Sequence, residues 1–188
     1  MKHTLGRRNL LYPTLTVLVG AMVHGRPNFI TIAHVGILTP QTISIGVNKS
    51  HYTNDGIKET GTFSINIPSV ELAVKTDYCG IVSGRRVDKS EVFEVFYGEL
   101  GNAPMIKECA VNMECQLVTV IDMLSHDIFV GKPVQTYVDE AVLSDGYLDL
   151  AKLNPLLFDM TSRYYWTIGE KHAPCWKIGN QLSKPGQP

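Results

Sequence analysis

Several familiar signatures are missing from this chain. Its four cysteines, Cys79, Cys109, Cys115 and Cys175, form no C-x-x-C pair and show no zinc spacing. Reduced, mostly buried thiols in a cytoplasmic protein are the expectation. Neither charge is in excess: the net charge is −1 over 188 residues. No strong field recommends nucleic acid or a membrane surface as partner. No apolar run approaches the ~20 residues of a membrane-spanning helix. A basic start, Met1 to Arg8, precedes the fairly apolar stretch Leu10 to Val23, as in a secretory leader. Pro13 and the threonines interrupt that stretch and no small-residue cleavage site follows, so Thr14 to Gly20 is expected to be a first strand. G-x-x-x-x-G-K-[ST], a G-x-G-x-x-G after a strand, H-E-x-x-H and a G-x-S-x-G around Ser83 are all absent. A Walker loop, a dinucleotide fingerprint, a zinc protease helix and a nucleophile elbow are thereby unsupported.

What is present is ordinary globular material, 44% apolar and 19% charged, long enough for one domain with a sizeable core. Short strand signals dominate. Val17–Met22 is β-branched and apolar, and Gly25–Pro27 reads as a turn. Asn28–His34 is the next expected strand, broken by Gly36–Pro40. Thr42–Val47 and Thr62–Ile67 alternate as strands, with a short helix between them over Asp55–Gly61, capped by Asn54 or Asp55 and stopped by Gly61. A second helix is expected from Ser69, ending before Gly80. Met113–Ile121 and Asp127–Val138 are strong strands joined at Asp122–His126. Residues 182–188 are expected to fray. Many strands with few short helices predict a mainly β fold, a barrel with peripheral helices, rather than a doubly wound sheet.

Three polar segments follow or end strands and carry the chemistry. They are Asn28–His34, Val47–Thr53 and Ser83–Lys89. Ser50, Thr53 and Lys89, with backbone amides freed by Gly84, are adequate to hold a phosphate. Taken alone they are equally ordinary polar loops. The backbone of Asn28–His34 and the amide of Asn66 could serve the edge of a flat heterocycle, although Asn66 also suits a turn before Pro68. The aromatic stretch Tyr164–Gly169, with Trp176, suits core packing, a dimer seam or a wall over a ligand. His126 at a hairpin end is a surface or core histidine, or a proton relay if a ligand lies beside it. His34 and His51 carry the same alternatives.

The order and spacing of these pieces resemble the flavin reductase-like FMN-binding family, its flavoredoxin branch most closely. The matching run spans about Tyr12 to Gly179. It includes Asn28-x-x-Thr31-Ile32-Ala33, Val47 to Thr53, Gly61-x-Phe-x-Ile-Asn-Ile-Pro68, Gly80-x-x-Ser83-Gly84, Asp88-Lys89, His126-x-Ile-Phe-Val-Gly131 and Tyr165-x-x-Ile-Gly-Glu170. The resemblance implies an FMN-binding split β-barrel formed by residues 1–188 as one domain, and a homodimer with one non-covalent FMN per subunit. It implies phosphate binding by Ser50, Thr53 and Lys89, in loops that include Asn48 and Ser83. The ring and ribityl chain would run along Asn28, Thr31, Ile32, Ala33 and Asn66, with His126 and Trp166 nearby. Many flavoredoxin-like members place tryptophan where this chain has His34, so a polar, titratable ring replaces a stacking wall there. The implied activity is uptake of reducing equivalents on FMN and their delivery onward. The chain would act as a carrier for a redox partner protein or as an NAD(P)H-dependent reductase. A non-catalytic flavin- or haem-binding module and a dimeric interaction protein are the competing classes.

Overall fold

The computed structural model describes residues 1–182; most of the tail expected to fray lies outside them. The chain opens with β1 (Thr14–Leu15), β2 (Val17–Val23), β3 (Arg26–Ile32), β4 (Val35–Thr39) and β5 (Thr42–Asn48). Helix α1 (Tyr52–Thr60) leads to β6 (Thr62–Ile67), and a 3₁₀ turn leads to α2 (Ala73–Ile81). The short β7 (Val95–Phe96) and β8 (Met105–Ile106) precede the long hairpin of β9 (Val111–Asp122) and β10 (His126–Val138). The remainder is β11 (Leu143–Ser144), β12 (Tyr147–Leu148), α3 (Leu150–Leu153), β13 (Leu157–Asp159) and β14 (Tyr164–Trp166).

Seven strands form one antiparallel sheet in the order β3-β2-β6-β9-β10-β5-β4. Val17, Val19 and Ala21 of β2, Ile30 and Ile32 of β3, Ile45 and Val47 of β5 and Phe63 and Ile65 of β6 belong to one buried cluster. Strands near opposite edges thus share a core, so the sheet curls around it. Ile57 of α1 enters the same cluster. Gly56 lets α1 approach β2, since a Cβ there would lie 2.3 Å from the Met22 carbonyl oxygen. The other side of β2 and β3 is also covered: Leu18 and Phe29 pack with Cys79 of α2, Phe93, Ile106 and Cys109. Burial on both faces explains why Val17–Val23 reads as continuous rather than alternating apolar sequence.

Several local expectations change. Arg26 and Pro27, read as part of a turn, open β3, which ends at Ile32 rather than at His34. The stretch Gly36–Pro40, read as a break, contributes β4: Val35 and Ile37 pair with Ile45 and Ile43, and the sheet accepts the glycine between them. Helix α1 starts earlier than expected, at Tyr52, because Asn54 is not its cap. The Asn54 amide donates instead to the buried Asp127 carboxylate at 2.9 Å, which also accepts from Lys58 at 2.6 Å. Helix α2 runs through Gly80 rather than stopping before it. Cys79, Cys109 and Cys115 are buried free thiols and Cys175 is exposed; burial pushes the Cys79 thiol up to about 11.

Candidate functional site

Strand β3 is an edge strand, so half of its backbone groups have no ladder partner in the sheet. Beside it the turn into α1 and the loop after α2 converge. Asn28 of β3 donates through Nδ2 to Thr53 Oγ1 at 2.7 Å, fastening the start of α1 to the strand. The Thr53 hydroxyl therefore keeps its own hydrogen to donate. Gly84 brings the second loop against the same point: a Cβ there would fall 2.0 Å from Asn28 Oδ1 and 2.9 Å from the Tyr52 ring. Gly80 similarly clears the side chain of Thr31, whose hydroxyl donates to the Thr76 carbonyl.

Two adjoining clefts result. The inner one, ≈ 180 Å³, is lined by Asn28, Ser50, His51, Thr53, Ser83 and Lys89 among others. The outer one, ≈ 230 Å³, shares Asn28, Tyr52, Gly84 and Lys89 with it. Lys89 stands where they meet. Its residue is only 3% exposed, and Nζ donates to the Cys79 carbonyl at 2.8 Å, in the last turn of α2 where a cation is favoured. Among the described residues no carboxylate pairs with it. Burial accordingly pulls the Lys89 ammonium below its ordinary value. A buried ammonium with two of its three donors unused suits an anion entering from the cleft.

The other residues singled out in the sequence divide. Asn48 Oδ1 accepts from the Ser50 amide at 2.9 Å and hydroxyl at 2.8 Å, which shapes the loop and presents Ser50 at the inner cleft. Ser83 Oγ accepts from the Arg85 amide at 3.3 Å. Ile32 is buried in the core, leaving only its backbone to a ligand. The Ala33-His34 link follows β3, and the His34 carbonyl accepts from the Gly46 amide at 2.7 Å. The His34 and His126 rings meet edge to face at 5.8 Å, and His126 Nδ1 lies 2.9 Å from Ser125 Oγ. Partial burial lowers the His51 pKa, with Lys89 and then His126 adding to the effect. His34 and His126 thus meet at one end of the sheet, with His51 close enough to His126 and Lys89 to feel their charge.

Asn66 and Trp166 lie apart from the clefts. Asn66 is fully buried on β6, donating to the Leu18 carbonyl (2.9 Å) and Ser64 Oγ (3.0 Å). Its Oδ1 accepts from the Ile106 amide (2.9 Å) and Asn112 Nδ2 (2.8 Å), so its hydrogen-bonding capacity is used within the protein. Trp166, 54% exposed, lines a separate apolar cleft with Leu10, Tyr12 and Pro13. Tyr52 and the arginines of the outer cleft, Arg26, Arg85 and Arg86, are not among the site residues expected from the sequence. The signal was available, because Arg85-Arg86 lies inside the segment Ser83–Lys89.

A family model described as "Flavin reductase like domain" matches residues 7–167. Among solved structures, a flavoredoxin from Methanosarcina acetivorans superposes with a TM-score of 0.94 at 43% identity, covering 97% of this chain and 99% of that one. The flavoredoxin of Desulfovibrio vulgaris (Miyazaki F) gives 0.89 at 36%, covering 95% and 100%. A protein with a split barrel domain from Shewanella frigidimarina gives 0.75 at 22% identity, covering 86% and 84%, which bears on the fold alone.

Proposed function

The chain belongs to the flavin reductase-like domain family, and from that premise we infer that the inner cleft holds the phosphate of FMN. The protein is an FMN-binding redox protein, an electron carrier or flavin reductase, built on a split β-barrel. The observation that carries the site is Lys89: a buried ammonium with no carboxylate partner among the described residues, set beside hydroxyls where the two clefts meet. The residues present fit the group. Lys89 supplies charge, Thr53 an uncommitted hydroxyl hydrogen, and the loop at Ser83 and Gly84 a close backbone approach, while the Ser50 hydroxyl would have to turn from Asn48 Oδ1 to donate to a phosphate. The unpaired edge of β3 from Asn28 to Ile32, continued by Ala33, offers amides and carbonyls along which a ring could lie, with His34 and His126 beyond its end.

FMN, when bound, accepts a hydride or single electrons and passes them on. The chain's own part is to anchor, orient and polarise. Lys89 fixes the phosphate end. Amides on the free edge of β3 would stabilise negative charge on a ring held there. His126, held at Nδ1 by Ser125, is positioned to hold a proton near that edge. Residues 12–179 form the ordered core of a single flavin-binding domain, and the working unit is a homodimer in the cytoplasm. No helix among the described residues is long and apolar enough to cross a membrane. A pyridine nucleotide or a redox partner protein delivers the electrons.

Absorption of the purified protein tests the reading. Yellow protein with flavin bands that bleach on reduction is expected; colourless protein that ignores added FMN would overturn it. Steady oxidation of NADH or NADPH by the yellow protein identifies a reductase. Its absence, with electron acceptance from a ferredoxin-like protein, identifies a carrier.

A further inference from the structure

Thr53 is held by more than Asn28. It sits in the first turn of α1, where among the described residues His51 makes no side-chain cap bond. The residue after Thr53 does the fastening. Asn54, 1% exposed, sends its amide nitrogen to the Asp127 carboxylate at 2.9 Å and to the Val47 carbonyl at 3.3 Å. Asp127 is equally buried near the start of β10, opposite Val47 of β5 and Asp122 of β9. Lys58, one turn beyond Asn54 on α1, donates to the same carboxylate oxygen at 2.6 Å, and Lys49 Nζ lies 4.0 Å from the other. The Lys58 hydrogen bond outweighs burial and holds the Asp127 pKa below the ordinary carboxylate range. Lys49 also tethers the intervening loop: its backbone amide donates to the Ser125 carbonyl at 3.1 Å and its ammonium to Asp122 at 2.9 Å. The helix that carries Thr53 is thus moored to the sheet at one buried carboxylate.

A buried ion pair is weak ground for stability, because well-packed apolar residues of similar volume often serve as well. What an apolar residue cannot supply is direction: a carboxylate fixes the orientation of the amide that donates to it. Here that amide belongs to the neighbour of Thr53. Thr53 is itself buried and its oxygen accepts from Asn28, so its one hydrogen leaves along a line set by where the first turn of α1 lies. Resting on the assignment of the FMN phosphate to the inner cleft, we propose that Asp127 is a positioning residue for that phosphate, acting through Asn54 to aim the Thr53 hydroxyl. Neither Asp127 nor Asn54 lines the inner cleft, whereas Thr53 does. The contribution of Asp127 is therefore geometric, and its removal acts on the phosphate by way of Thr53.

The experiment uses the full-length protein and titrates two probes by flavin fluorescence: FMN, and riboflavin, which lacks the phosphate. The variants are Asp127→Asn, Asn54→Ala, Thr53→Ala and the double substitution of Asp127→Asn with Thr53→Ala. Asp127→Asn should weaken FMN binding about tenfold and riboflavin binding less than about twofold, and Asn54→Ala should do the same. In the Thr53→Ala background Asp127→Asn should weaken FMN binding by less than about a further twofold, because the hydroxyl it aims is gone. Equal weakening of FMN and riboflavin overturns the proposal, since Asp127 then only holds the fold. Losses from Asp127→Asn and Thr53→Ala that multiply overturn it too, as does unchanged FMN affinity in Asp127→Asn. Thermal melts set the folded fraction at the titration temperature. If Asp127→Asn does not fold, Asn54→Ala keeps the Lys58–Asp127 pair and takes its place in every comparison. Wild-type protein that binds FMN no better than riboflavin, or binds neither, refutes the phosphate assignment instead, an outcome distinct from the others.

Discussion

Lys89 separates a binding role from a structural one. An ammonium buried without a counter-charge is unfavourable in the ligand-free protein, and among the described residues its one hydrogen-bond partner is a neutral carbonyl. Lys89→Met removes that burden while keeping the bulk. The variant is expected to melt at the same temperature as the ligand-free wild type or higher. Its FMN dissociation constant should rise by about 10- to 100-fold, from loss of a charge-assisted contact contributing about 1.5–3 kcal/mol. The opposite pattern, a lower melting temperature with FMN affinity intact, would make Lys89 a structural residue. His51 offers a second residue-level test. Partial burial, then Lys89, then His126 lower its pKa, so below its ordinary value of 6.5 the unfolded chain binds a proton that the folded one resists. Stability therefore rises with pH through the window below 6.5 and falls on acidification. In His51→Asn the melting temperature should drop less between pH 7 and pH 5.5 than in wild type. The difference is small because the ring remains partly in water. Identical slopes would mean that other groups control the acid response.

Strand β6 shows what an element can hide. Its alternation is plain in Thr62-Phe-Ser-Ile-Asn-Ile67, and Phe63, Ile65 and Ile67 face the core as the pattern requires. The polar alternates would ordinarily meet solvent, yet all six residues are buried. The segment 102–106 covers them: Ser64 donates to the Pro104 carbonyl, Thr62 to Asn102 Oδ1, and Asn66 accepts from the Ile106 amide. That cover comes from about 40 residues downstream, and no local pattern announces it. Asn66→Ala strands Ile106 N–H and the Leu18 carbonyl and frees Asn112. At about 1 kcal/mol or more per orphaned group it should lose roughly 3 kcal/mol in urea unfolding. FMN affinity per folded molecule should stay within twofold; a selective loss of affinity would return Asn66 to the ligand. The same contrast governs the rest of the site. Strand identity and the polar loops at Ser50, Thr53 and Lys89 were legible because period and turn chemistry are local. The burial of Lys89 against Cys79 and the gathering of Arg26 with Arg86 were not, since they depend on how α2 lies over β3.

Across the whole molecule, apolar side chains remain outside that the core does not use. Strand β4 ends the sheet, with unpaired backbone along its outer side and Ile37 (82%) and Leu38 (54%) exposed. The β9–β10 turn exposes Met123 and Leu124, and Tyr164 and Trp166 lie open on β14. An uncovered edge with apolar side chains invites pairing with other chains, and folded proteins manage such edges by covering or charging them. No charge protects β4, which reads Val-Gly-Ile-Leu-Thr. A second copy of the chain would provide cover without requiring any other protein, and a two-fold contact closes after two copies. The expected result is a dimer mass by light scattering at micromolar concentration. Ile37→Lys should shift that mass toward the monomer while ligand-free subunits stay folded by circular dichroism, because Ile37 contributes nothing to the subunit core. If wild-type protein is already monomeric at that concentration, the dimer is refuted. If Ile37→Lys leaves a wild-type dimer unchanged, the seam runs through the β14 aromatics, and Trp166→Glu then becomes the substitution expected to split it.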